Sequence, residues 1–84
     1  MMLHMILCLM TKSQAFGRAL KKARLKKKIS QENLSLSAGL SRVYISELEF
    51  GRKSPSIDTI FKVSKALNIK CSKMMDLTET ELID

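Results

Sequence analysis

The chain has 84 residues, 15 basic and 8 acidic side chains for a net charge of +7, and 45% hydrophobic but only 5% aromatic content. That length makes one small domain, able to bury little more than about 60% of its unfolded surface. The hydrophobic share excludes a disordered tail, and the scarcity of aromatics calls for an aliphatic, methionine-rich core.

The chain opens on an apolar arm, residues 1–11, whose first ten residues read MMLHMILCLM. A run of ten is too short to span a bilayer, which takes about twenty residues. It also lacks the positive n-region and the small-residue cleavage site of a signal peptide. The arm is expected to bury against the core or a second subunit. His4 within it reads as a packing residue or solvent contact. Cys8 and Cys71 form no CxxC and have no histidine at metal-ligand spacing, so no metal site is expected, and two free thiols suit a reducing cytoplasm.

A first helix is predicted from Ser13, its N-cap, to Lys27. Phe16, Ala19, Leu20 and Ala23 fall on one stripe at helical spacing, with Arg18, Lys21, Lys22 and Lys26 on the other faces. Ser30 caps a second helix, in which Glu32 complements the positive dipole end and Leu34 and Ala38 face inward. Gly39 stops it, because glycine accepts the left-handed backbone of a tight turn. Ser41 caps a third helix, from Arg42 to Phe50, with Ile45 and Leu48 inward and Gly51 as its stop. Ser56 caps a fourth, after Pro55, with Ile57, Ile60, Phe61, Ser64 and Leu67 at helical spacing and Asn68 as terminator. Ser72 caps a short last helix carrying Met74, Met75 and Leu77, beyond which an acidic tail, residues 79–84, is expected to fray. Nothing outside the arm reads as a strand, so the fold class is all-α: five compact helices and an extra apolar N-terminal arm.

Eight basic residues lie between Lys12 and Lys28, no acid precedes Glu32, and four acids close the chain. Such asymmetry suits a polyanion, since lysine and arginine release condensed counterions from phosphates. A solvated basic helix face explains the run equally well, so charge alone establishes nothing. The chain offers no nucleophile with a partner base, no paired carboxylates and no glycine-rich phosphate loop. An enzyme is therefore not expected, nor any catalytic residue, cofactor or small-molecule ligand.

Two short helices joined by a glycine-containing turn, over residues 31–50, meet the requirement of a helix-turn-helix. The run Phe16-Gly17, Leu20, Arg24, Ile29-Ser30-Gln31-Glu32-Asn33-Leu34, Ala38-Gly39-Leu40-Ser41-Arg42, Tyr44-Ile45-Ser46, Leu48-Glu49, Gly51 and Pro55-Ser56 resembles the lambda-repressor-like (Cro/CI, or Xre) family. Thr59-Ile60, Lys65-Ala66-Leu67-Asn68-Ile69 and Ser72 extend the likeness, so that a DNA-binding domain is expected over residues 12–78. Ser35 stands where alanine is usual, Phe50 stands where a polar residue is common, and the arm lies outside the pattern.

The resemblance implies that the second helix of the motif enters the major groove of double-stranded DNA, its N-terminal residues facing base edges. Ser41, Arg42, Val43, Ser46 and Glu47 are then the base-reading candidates. Arg42 can bond guanine O6 and N7 together, Val43 can pack on a thymine methyl, and Glu47 can accept from cytosine N4. Gln31, Tyr44, Arg52 and Lys53 are implied phosphate contacts, which position the protein without reading sequence. Arg24 and Glu49 take positions that form an ion pair between the first and third helices in similar repressors.

These readings lead to a stand-alone transcription regulator, bound as a homodimer to a pseudo-palindromic operator and working in a bacterial or phage-type cytoplasm, nucleoid-associated when bound. Two alternatives stand beside it. One is an antitoxin that represses its own operon, with the arm or acidic tail holding a toxin. The other is a protein-interaction module of the same fold, against which Arg42, Gln31 and the Arg52-Lys53 loop argue. The last helix, the loop before it and the arm are the candidate dimer surfaces.

Overall fold

The computed structural model describes residues 10–83, so the arm before Met10, His4 and Cys8 lie outside the described residues. Five helices follow in order: α1 (Lys12–Lys26), α2 (Gln31–Ala38), α3 (Arg42–Glu49), α4 (Ile57–Ala66) and α5 (Cys71–Ile83). No strand occurs among the described residues. Helix α1 packs against both α5 and α3, α2 against α3 and α4, and α4 against α5. One core results, made of Phe16, Ala19, Leu20, Leu34, Ala38, Ile45, Leu48, Val63, Leu67 and Met74.

Local chemistry sets most boundaries. Ser30, Ser41 and Ser56 adopt extended backbone, and each hydroxyl accepts the amide of the residue three places on, Asn33, Tyr44 and Thr59, at 3.0–3.1 Å. Each thereby satisfies one of the first-turn amides that a helix leaves without an internal partner. Helix α1 is capped by Thr11 rather than Ser13. Thr11 Oγ1 accepts from the Gln14 amide while Gln14 Oε1 accepts from the Thr11 amide, both at 3.0 Å, a reciprocal capping box. Ser13 instead lies inside the helix, its hydroxyl 2.6 Å from that of Ser54.

The helix ends share one device. Lys28, Gly39, Gly51 and Asn68 take left-handed backbone at φ 59°, 70°, 76° and 57°. The next residue's amide then reaches back to the last turn, as in Ile29 to the Arg24 carbonyl and Ile69 to that of Ser64.

Two departures from the sequence reading concern α4 and α5. Helix α4 buries Thr59, Val63 and Ser64 and leaves Ile57 and Phe61 exposed at 73% and 60%. Thr59 can turn inward because Ser56 donates to its hydroxyl and Tyr44 Oη lies 3.1 Å from it. Helix α5 starts at Cys71, which places Ser72 inside it, and it continues through the acidic residues to Ile83. Its C-terminal half is held to α1 by Lys22 Nζ on Glu81 Oε2 at 2.6 Å.

Candidate nucleic-acid interface

Helix α3 is eight residues, about 12 Å long. Ile45 and Leu48 are fully buried beneath it, and its outer face carries exposed Arg42 and Val43 with half-buried Ser46 and Glu47. Ser41, Arg42, Val43, Ser46 and Glu47 thus gather at or near one surface. The Ser41 oxygen is engaged by the Tyr44 amide, which leaves its hydroxyl hydrogen free to donate outward.

The opposite end of α3 is anchored. Gly17 lies in the middle of α1, where a Cβ would stand 2.2 Å from the Leu48 carbonyl oxygen and 2.6 Å from that of Glu49. Only a residue without a side chain lets the two backbones approach so closely. Glu49 is buried, and Arg24 grips it with two bonds, Nε to Oε2 at 2.6 Å and Nη2 to Oε1 at 3.1 Å. Arg24 Nη1 donates in addition to the Ile29 carbonyl at 2.8 Å, and Gln31 Nε2 donates to Glu49 Oε1 at 2.9 Å. The charges are therefore paired and surrounded by further hydrogen bonds, the condition under which a buried ion pair is tolerated. Gly51 completes the anchor. A side chain there would sit 2.7 Å from Gln14 Cα, and its φ of 76° favours glycine.

Of the four residues assigned to phosphate, Tyr44 lies on α3 itself, Gln31 opens α2, and Arg52 and Lys53 follow α3 in the loop. Gln31 spends one N–H of its side-chain amide on Glu49, so the second Nε2 hydrogen and the backbone N–H, in the first turn of α2, are the donors that remain for an outside anion. Tyr44 is half-buried with its hydroxyl on Thr59. Lys53 Nζ stands 3.6 Å from Glu47 Oε1, and the Arg52 guanidinium lies 5.1 Å from the centre of the Phe50 ring.

Sequence reasoning missed two features of this site. Gly17 enters the sequence reading only within the run Phe16-Gly17 that resembles the family, with no packing role attached, and Gln31 reads as an outward contact although its amide braces Glu49. Only the i, i+7 spacing of Gly17 and Arg24, both facing α3, carries a hint of either.

Comparison with known proteins decides the family. The model of the helix-turn-helix family HTH_3 matches residues 20–74. The chain belongs to this family. It is accordingly a DNA-binding transcription regulator and not an enzyme. Control protein C.BamHI of Bacillus amyloliquefaciens is 41% identical over 64 residues, covering 75% of this chain and 79% of that protein. Control protein C.MunI of Mycoplasma sp is 36% identical over 67 residues, 79% of this chain and 90% of that one. The crystal structure of the restriction-modification controller protein C.AhdI from Aeromonas hydrophila matches with a TM-score of 0.72 at 34% identity, over 74% of this chain and 94% of that chain. No described helix is long and apolar enough to cross a membrane.

Proposed function

We propose that this protein is a regulator of the restriction–modification controller type, acting in the cytoplasm, two copies of which bind a pseudo-palindromic operator. The observation that carries the reading is the asymmetry of α3: its N-terminal residues stand free while its C-terminal end is fixed by Gly17, Gly51 and the Arg24–Glu49 pair. A helix held at one end and bare at the other suits insertion into a major groove. The likeness to C.BamHI, C.MunI and C.AhdI supports the controller subtype.

In this reading Arg42 bonds a guanine, Val43 covers a thymine methyl, and Ser41, Ser46 and Glu47 adjust the choice of neighbouring bases. The Gln31 amide, Tyr44, Arg52 and Lys53 meet phosphates on either side and set the register. Lys53 must leave Glu47 to do so, an exchange of partners that is inexpensive for an exposed pair. The second copy covers the apolar face of α4 formed by Ile57 and Phe61, one helical turn apart. Two such units place their recognition helices in successive grooves, about one turn of DNA apart.

Selection of bound sequences from random duplex DNA, at fixed salt, tests this. The parent should enrich a symmetric motif, and Arg42→Ala should lose preference at one base pair of each half-site, by about 1–3 kcal/mol. Absence of any enriched sequence would refute operator reading.

A further inference from the structure

Phe50 closes α3 with 66% of its surface exposed. It does not hang from a loose loop. Its backbone stays helical at φ −80° and ψ −8°, and its amide donates to the Ser46 carbonyl at 3.0 Å. The Arg52 amide closes the turn on the Glu47 carbonyl at 3.0 Å, and Gly51 is set against Gln14. The Cα–Cβ bond of Phe50 therefore leaves the anchored end of the helix in a fixed direction.

Its place on the helix is informative. Phe50 follows Val43 by seven residues and Ser46 and Glu47 by four and three, so these side chains form one ridge. Val43 is itself 68% exposed. The ridge is thus apolar at both ends and polar between, over a length of about 10.5 Å, or about three base-pair steps. Arg52 lies over the ring and carries a positive charge beside it, at the edge where a phosphate would run.

A phenyl ring has neither donor nor acceptor, so in the major groove it separates thymine from cytosine only through the C5 methyl. We infer that Phe50 packs against a thymine methyl at the outer edge of each half-site, as a further specificity-determining residue, while Arg52, stacked on it, meets the adjoining phosphate. This rests on the operator reading above and assigns a base contact beyond it.

The experiment is a fluorescence-anisotropy titration at fixed salt, using the duplex the parent selects and copies of it in which each symmetry-related pair of thymines becomes deoxyuridine. For the parent, one such pair at the outer edge should weaken binding by about 3- to 10-fold, the scale of one lost methyl contact per half-site. Phe50→Ala should lose a similar factor on the thymine duplex and then be indifferent to that same pair. Phe50→Leu, which keeps an apolar contact, should recover part of the difference. Arg42→Ala should keep the deoxyuridine sensitivity. The inference is overturned if Phe50→Ala binds the thymine duplex as tightly as the parent, or if every deoxyuridine pair still weakens it as it weakens the parent. A parent that selects no duplex sinks the operator reading itself, a result distinct from either.

Discussion

Substituting Gly17 by alanine sets a local preference against a tertiary contact. In an isolated helix the change should stabilise by roughly 0.5–1 kcal/mol, because glycine loses more conformational freedom on folding. In this fold the new methyl would lie 2.2 Å from the Leu48 carbonyl oxygen, 2.6 Å from that of Glu49 and 2.9 Å from the Glu49 carbonyl carbon. Ordinary carbon–oxygen contacts begin near about 3.3 Å, so α1 and α3 must part by about 1 Å. All three obstacles are backbone atoms, and no rotamer change relieves them. Separation also stretches the Arg24–Glu49 bonds of 2.6 and 3.1 Å, which are buried and cannot be replaced by water. Overpacking of this kind costs about 1–3 kcal/mol. With a share of the strained ion pair added and the helix gain subtracted, a net loss of about 2–3 kcal/mol is expected. For a domain of this size that lowers the melting temperature by about 10–20 °C. Far-UV circular dichroism melts of both proteins at equal concentration read the effect, since association would otherwise shift the midpoint. An unchanged or raised midpoint would show that the approach of α3 to Gly17 is not a constraint on the fold, and the anchoring argument would fail with it.

Two other substitutions probe the anchor and the assembly. Glu49→Gln keeps the size of the side chain but leaves the Arg24 guanidinium buried without a countercharge, so urea unfolding should show a loss of about 2–4 kcal/mol. Equal stability and equal DNA affinity would mean that the pair is dispensable. Phe61→Glu places a charge on the exposed face of α4 and should shift sedimentation from dimer to monomer while leaving the far-UV spectrum intact. Unchanged sedimentation would move the dimer contact off this face.

The parts of the fold legible in the sequence are those decided within a few residues. Ser30, Ser41 and Ser56 could be read as caps because a cap bonds an amide three places on, and Asn68, Gly39 and Gly51 as stops because left-handed backbone selects them. Thr11 and Ser13 both offer a hydroxyl, and the choice between them is made far away, by Ser54 on Ser13 and by Gly51 against Gln14. Lys28 takes left-handed backbone with no turn residue to announce it, because the closing bond from Ile29 to Arg24 outweighs its modest strain. In α4 helical spacing admits two faces. Of the expected stripe, Ser64 and Leu67 are buried and Ile60 packs on the core, but Ile57 and Phe61 are exposed, and Thr59 and Val63 are buried instead, with Ser56 and Tyr44 satisfying the threonine hydroxyl. Hydrophobicity alone chooses wrongly at Ile57 and Phe61. The pairing of Arg24 with Glu49 spans 25 residues and has no local signature, so it is reachable from sequence only through likeness to other repressors.

The recognition helix has two ends with different physical duties, and that division bears on how variants of such a protein should be read. Glu49 at the buried end is joined by hydrogen bonds both to α1, through Arg24, and to the first residue of α2, through Gln31. One carboxylate therefore fixes the two helices of the motif relative to each other and to the rest of the core. Moving it changes the angle at which α3 leaves the surface, so damage at this end reaches DNA affinity through the fold and appears in unfolding as well. At the free end, Arg42 and Val43 are exposed and lie outside the core cluster. On the proposed reading, their replacement should alter which bases are preferred while the melting temperature stays where it was. A chain built this way can change its operator by exchange of exposed residues without renegotiating its core, and the glycines and the buried pair are what make that exchange safe.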